Sequence, residues 1–218
     1  MHIKKLSLIS FKNYAELSLD VHKKLNCFVG DNGAGKTNLL DSIYYLCMCK
    51  SYFNASDKYS IRDTDDFMVL QAELDKDNKH EELYCALKKG KKKNFRRNKK
   101  EYNRLSDHIG LFPVVMVSPS DIQLITEGSE ERRKYMNRVI SQYDKAYLEL
   151  TMEYNHILAQ RNKLLKDSHA VNSGEDLLDI LDTQLVGKGA EIHSRRHSFI
   201  GQFLPVFNDY YHLSLIHI

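Results

Sequence analysis

Residues 30–37 read Gly-Asp-Asn-Gly-Ala-Gly-Lys-Thr, a complete match to the phosphate-binding pattern G-x-x-x-x-G-K-[ST]. Each residue type has a physical task. Gly30, Gly33 and Gly35 let the main chain come close to a ligand that side chains would hold off. With Asp31, Asn32 and Ala34 they make a loop whose N–H groups point inward at phosphate oxygens, and the helix that follows adds the positive end of its dipole. Lys36 reaches the β/γ-phosphates, and Thr37 offers its hydroxyl to Mg²⁺. The phosphates of a nucleotide, with Mg²⁺, are the ligand this spacing predicts.

Such a loop needs a strand to lead into it and a helix to leave it. Asn26–Val29 reads as a short buried strand, and Leu39, Leu40, Ile43, Tyr44 and Cys47 fall at helical spacing, giving a helix over 36–49. Residues 1–29 read as three strands in all, with Leu6 and Leu8, then Leu17, Leu19 and Val21, alternating with polar neighbours. Residues 51–66 are polar loop with a short element around Tyr59–Ile61. Residues 68–74 and 82–87 read as strands around a polar turn, and 91–104 as a basic hairpin turning near 98–100. Pro113 opens Val114–Val117, which reads as a core strand. After Pro119 the pattern is helical. Met136, Ile140, Tyr143, Tyr147, Leu150, Tyr154, Ile157, Arg161 and Leu164 form a heptad-like stripe broken near Asp144. A loop over 167–174 leads to a second stripe through Leu178, Leu181, Leu185, Ile192, Phe199 and Phe203, so two long helices should pack antiparallel with the tyrosines as their core.

The 218 residues, 42% of them hydrophobic, suffice for one large domain or two small ones. No apolar run approaches the length of a membrane-spanning helix, and the N-terminus has no secretion-signal pattern. Cys27, Cys47, Cys49 and Cys85 form no C-x-x-C pair, which predicts free thiols in a reducing cytoplasm, two of them buried, and argues against zinc. The net charge is +3, yet residues 88–104 hold ten Lys/Arg against the single acid Glu101. Lys91, Lys92, Lys93, Arg96 and Arg97 are therefore candidate contacts to DNA phosphate, the alternative being a solvated hairpin whose lysines blunt a sheet edge. Arg132 and Arg133 can meet phosphate or a dimer partner, or pair with Glu130 and Glu131. His193 and His197 have helix metal-ligand spacing but no third ligand, so an exposed polar face is expected.

Leu6–Tyr14 and Gly33–Asp41 resemble the ATP-binding heads of the SMC-like branch of ABC ATPases. Within that branch the run Val117-Ser-Pro-Ser-Asp-Ile-Gln-Leu-Ile-Thr-Glu-Gly128, the following Arg132-Arg133, and Tyr154 through Gln160–Leu165 are similar to the RecF family. The resemblance implies an α/β P-loop NTPase head with an N-terminal β-meander and an inserted helical lobe: residues 1–117 as part of the ATP-binding lobe and 118–212 as the helical lobe. It also implies recombinational DNA repair and replication, including the SOS response, through weak DNA-stimulated ATP turnover. The full-length protein would form an ATP-dependent homodimer on double-stranded DNA at gap junctions, working with RecR and RecO to load RecA. Two positions depart from the pattern. The family often has Arg where this chain has Lys12, and Gln where it has Ala34.

Two elements of such an ATPase are not found: an apolar strand ending in paired acids, and an LSGGQ-like signature. In the family both lie after the helical lobe, so the C-terminal half of the ATPase core is expected beyond this chain. The last six residues, Leu213–Ile218, translate a transposon-end adapter used in sequencing libraries, which predicts a non-native tail after His212. Two rival readings remain. One is another SMC-like head; the other is a nucleotide-gated dimerisation module without significant turnover.

Overall fold

The computed structural model of the protein describes residues 1–54, 56–166 and 175–215. The chain divides into two compact units, Met1–Pro119 and Ser120–Ile218.

In the first unit, residues of alternating polarity pair into one six-stranded antiparallel sheet. Its strands are β1 (His2–Phe11), β2 (Tyr14–Asp20), β3 (Phe67–Lys76), β4 (Lys79–Lys88), β5 (Asn94–Arg97) and β6 (Lys100–Glu101), in the order β2-β1-β3-β4-β5-β6. The two-residue period places Leu6 and Leu8, Met68, Leu70, Ala72 and Leu74, and Leu83, Cys85 and Leu87 in the core. Two-residue turns fix the register. Asp77 and Asn78 have φ 51° and 61°, and Asn98 and Lys99 have φ 50° and 66°, the left-handed pair that matches strand twist. Helix α1 (Lys36–Met48) joins the same core through Leu39, Tyr44, Tyr45, Leu46, Cys47 and Met48.

Two expected strands do not form. Asn26–Val29 has no strand pairing; instead the Asn26 side chain closes a turn, accepting from His22 N at 2.8 Å and donating to His22 O at 2.9 Å. Val29 is 86% exposed. Val114–Val117 is likewise not a strand, with Val115 87% and Val117 80% exposed. An apolar run becomes a strand only by regular pairing with another, and among the described residues neither segment belongs to the sheet; Phe28, Val114 and Met116 pack against its core as irregular chain. The element expected at Tyr59–Ile61 is a 3₁₀ turn at Asp57–Ser60, followed by Ile61 bridging to Phe11. Three cysteines rather than two are buried, and burial pushes the thiols of Cys47, Cys49 and Cys85 up to about 12.

His108 ties this core to α1. Its Nε2 lies 2.7 Å from the Leu46 carbonyl, so that nitrogen carries the proton, and Nδ1 accepts from the Tyr102 hydroxyl at 3.0 Å. Burial pushes the imidazole down to about 4 from 6.5. The unfolded chain then binds a proton in this window that the folded chain refuses. The contribution is complete above pH 6.5 and is lost as pH falls toward 4, up to about 3 kcal/mol. Urea midpoints of the full-length protein should therefore drop between pH 6.5 and 4. His108→Gln should flatten that part of the profile whatever it costs at neutral pH; an unaltered slope would show that another group titrates.

The second unit is helical: α2 (Gln123–Thr126), α3 (Ser129–Tyr143), α4 (Lys145–Lys166) and α5 (Glu175–Leu215). The break falls at Asp144, which turns extended (φ −117°, ψ 96°) and accepts the Tyr147 N–H at 2.9 Å. Ile140, Tyr147, Leu150 and Ile192 form a core with Met136, Tyr154 and Phe199 packed on it. The break shifts the helical phase, so Tyr143, read as part of the stripe, is exposed. Arg161 pairs with Asp182, Glu153 with Lys188 and Asp144 with Arg195. One number falls as the other rises, so α4 and α5 run antiparallel. His193 and His197 lie on the exposed face. The loop expected at 167–174 lies outside the described residues. Of the expected tail, 213–215 continue α5 and 216–218 lie outside them. Among the described residues no helix is long and apolar enough to cross a membrane.

Candidate nucleotide-binding site

The loop of residues 30–37 leaves an exposed segment and enters α1. Gly33 and Gly35 have φ 84° and 104°, backbone that a residue with a Cβ resists. Gly35 caps α1 with no side-chain hydrogen bond, and the first turn holds no acid. The leading amides of the helix thus have no internal or side-chain acceptor, and the positive end of the dipole is not neutralised. An anion is the group that satisfies them. Lys36 curls back over the loop, its Nζ donating to the carbonyls of Gly30 at 2.8 Å and Asp31 at 2.7 Å. The ammonium is thereby held at the loop, where a phosphate oxygen can replace a carbonyl. The Ala34 N–H is turned onto Asp31 O at 3.2 Å, and Thr37 is exposed at the helix start. The donors and cation fit a polyphosphate, and the exposed hydroxyl of Thr37 fits the Mg²⁺ that accompanies one. Among the described residues there is no group of three or more His, Cys, Asp or Glu able to hold a metal by themselves.

The turn between β1 and β2 grips this helix. Lys12 Nζ meets Asp41 Oδ2 at 2.6 Å, with the two side chains 9% and 0% exposed. Asp41 also accepts from Ser51 Oγ and Tyr52 N, each at 2.7 Å. Lys12, noted for its departure from the family pattern, is thus committed inside the fold. Asp41 was not singled out from sequence; the available signal was an acid set among the apolar positions of α1.

The structure splits the basic segment. Lys93 is drawn inward, with Nζ 2.9 Å from Asp57 Oδ2, donating to the Cys49 carbonyl at the end of α1 and lying 4.6 Å over the Tyr45 ring. Arg97 forms a fork with Glu81 on β4, and its hydrogen bonds hold that carboxyl at about 2. These two candidate DNA contacts are occupied as structural ions. Lys91, Lys92 and Arg96 are exposed, Arg96 lying 5.4 Å over the Tyr84 ring. In the second unit Arg132 donates to the carbonyls of Leu124 and Glu127, and Arg133 to Ser129 Oγ, while Lys134 takes Glu130 and Glu131. Of the two alternatives for Arg132 and Arg133, the pairing with Glu130 and Glu131 is taken instead by Lys134.

Residues 2–119 match the family described as the RecF/RecN/SMC N terminal domain. The DNA replication and repair protein RecF of Phocaeicola vulgatus is 47% identical over 212 residues, 97% of this chain and 57% of that protein. RecF of Flavobacterium johnsoniae is 48% identical over 210 residues, 95% of this chain and 58% of that protein. A solved structure described as the recombination mediator protein RecF–ATP in the RecFOR pathway superposes with a TM-score of 0.84 at 29% identity, covering 92% of this chain and 54% of that one. The chain thus spans little more than half the length of the relatives it matches. Its fold is that of an ABC/SMC-like ATPase head, and the chain belongs to the RecF/RecN/SMC N-terminal-domain family, within which its likeness is to RecF.

Proposed function

We propose that the chain binds ATP with Mg²⁺ through residues 30–37, as the nucleotide site of an ATP-dependent DNA-binding protein of recombinational repair and replication. The observation that carries this is the glycine-capped start of α1, with open amides and Lys36 folded over the loop. In this reading 1–117 serve as the ATP-binding lobe and 118–212 as the helical lobe. The loop amides and Lys36 hold the β/γ-phosphates, and Thr37 orients Mg²⁺. The full-length protein forms a homodimer when ATP is bound and acts in the cytoplasm on double-stranded DNA at gap junctions. It works there with RecO and RecR to load RecA in the response to DNA damage; the likeness to RecF supports this part. Turnover of the full-length protein on DNA separates an ATPase from a nucleotide-gated dimerisation module: DNA-stimulated hydrolysis supports the first, tight ATP binding without hydrolysis the second.

The DNA contacts follow from the exposed members of the basic segment. Neutralising Lys91, Lys92 and Arg96 together should weaken DNA binding and flatten its salt dependence by about one unit of log–log slope per lost phosphate contact. Lys93→Ala or Arg97→Ala should instead lower the thermal midpoint. A salt slope unchanged in the triple variant would leave the segment as a solvated hairpin.

A further inference from the structure

Gly35 is crowded from one side. An ideal Cβ there would stand 2.5 Å from Asn13 Nδ2, 2.8 Å from Oδ1 and 3.0 Å from Cγ. The carboxamide of Asn13 therefore lies directly on the main chain one residue before Lys36. It reaches that place from the β1–β2 turn, which is itself fixed. Lys12 N donates to Ser60 O at 3.0 Å, Lys12 Nζ is locked on Asp41, and Phe11 and Tyr14 pair across the turn. The amide is also oriented: Oδ1 accepts from Asn38 Nδ2 at 2.8 Å. That bond assigns the acceptor end to the helix and leaves the NH₂ end facing elsewhere. Among the described residues no acceptor takes the two Nδ2 hydrogens, and Asn13 is solvent-exposed. An oriented double donor on an open surface, in contact with a phosphate-binding loop, is matched by an anionic oxygen.

We propose that Asn13 is a ligand of the nucleotide's phosphates, donating from Nδ2 beside Gly35 while Asn38 holds its amide in the donor-out orientation. This rests on residues 30–37 being the nucleotide site. It adds a contact from outside the loop, beside a position whose φ of 104° favours glycine.

The test is calorimetric titration of Mg–ATP into the full-length protein and its variants, with thermal midpoints alongside. Asn13→Ala should weaken ATP about tenfold, the worth of one hydrogen bond to a charged group. Asn38→Ala removes the orienting partner but not the donors and should cost less than threefold. Asn13→Asp retains the acceptor for Asn38 but replaces the donors with negative charge, and should bind more weakly than Asn13→Ala. Asn13→Ala within twofold of wild type would overturn the proposal. So would an equal loss in Asn38→Ala, which would make the amide a clamp on the loop and not a ligand. Failure of the unaltered protein to bind Mg–ATP would instead remove the nucleotide site itself, and the proposal with it.

Discussion

Lys36→Ala should weaken ATP binding by about a hundredfold and abolish ATP-dependent dimerisation, while DNA binding without nucleotide stays near its starting level. The size follows from what the side chain does. Its ammonium is held over the loop by the Gly30 and Asp31 carbonyls. Replacing those neutral acceptors with terminal phosphate oxygens makes charge-assisted hydrogen bonds, roughly twice as strong as neutral ones. The amides at the start of α1 survive the substitution, so some phosphate affinity remains. The proposed DNA contacts Lys91, Lys92 and Arg96 lie in β5 and the turn before it, apart from α1, and are unaltered by the substitution. Thr37→Val is the companion variant: it should remove the Mg²⁺ dependence of binding with the thermal midpoint unchanged, because that hydroxyl lies exposed at the helix start. Titration of ATP, with sedimentation to read dimerisation, decides the matter. Wild-type affinity in Lys36→Ala would remove the phosphate assignment.

What was legible in the sequence follows the range of the interactions involved. The loop at 30–37, helix α1 and the β3–β4 and β5–β6 hairpins depend on neighbours a few residues away, and each was readable from local pattern. Asn26–Val29 and Val114–Val117 have the composition of core strands, but a strand is defined by a partner distant in sequence, and apolar composition does not supply one. The basic segment shows the same limit for charge. Ten cations within 88–104 read as one electrostatic feature, yet Asp57 and Glu81, brought close only by the fold, withdraw Lys93 and Arg97 from it. Asn13 lay inside the quoted Leu6–Tyr14 stretch without a role of its own, and His108 was not singled out, because each meets α1 through a long-range contact that no spacing rule encodes.

Lys12→Ala should destabilise the full-length protein by about 3–5 kcal/mol, the cost of leaving one member of a buried ion pair alone. Two features decide the magnitude. Asp41 is wholly buried, so water cannot replace the lost ammonium, and the Ser51 Oγ and Tyr52 N donors that remain are neutral. A surface pair of the same geometry would contribute at most about 1 kcal/mol. The Lys12 side chain also lies over the rings of Phe11 and Phe53, 5.7 and 5.4 Å from their centroids, so truncation removes packing as well as charge. Against this, Lys12 sits at φ 52°, where a non-glycine residue is strained, so Lys12→Gly should recover part of the loss by relaxing the turn. Lys12→Arg keeps the charge and should stay within about 1.5 kcal/mol of wild type. Removing both ions, as in Lys12→Met with Asp41→Leu, should cost less than the two single changes added together, because no uncompensated charge is left behind. Urea denaturation of these four variants, with Lys12→Met and Asp41→Leu measured singly, gives all of these differences. Because Asp41 also holds the chain at Ser51 and Tyr52 against α1, the Lys12→Ala loss should carry through to the nucleotide loop as weaker ATP binding. Lys12→Ala within 1 kcal/mol of wild type would mean that Asp41 is satisfied without its lysine, and that the β1–β2 turn grips α1 through Asn13 and the aromatic contacts instead.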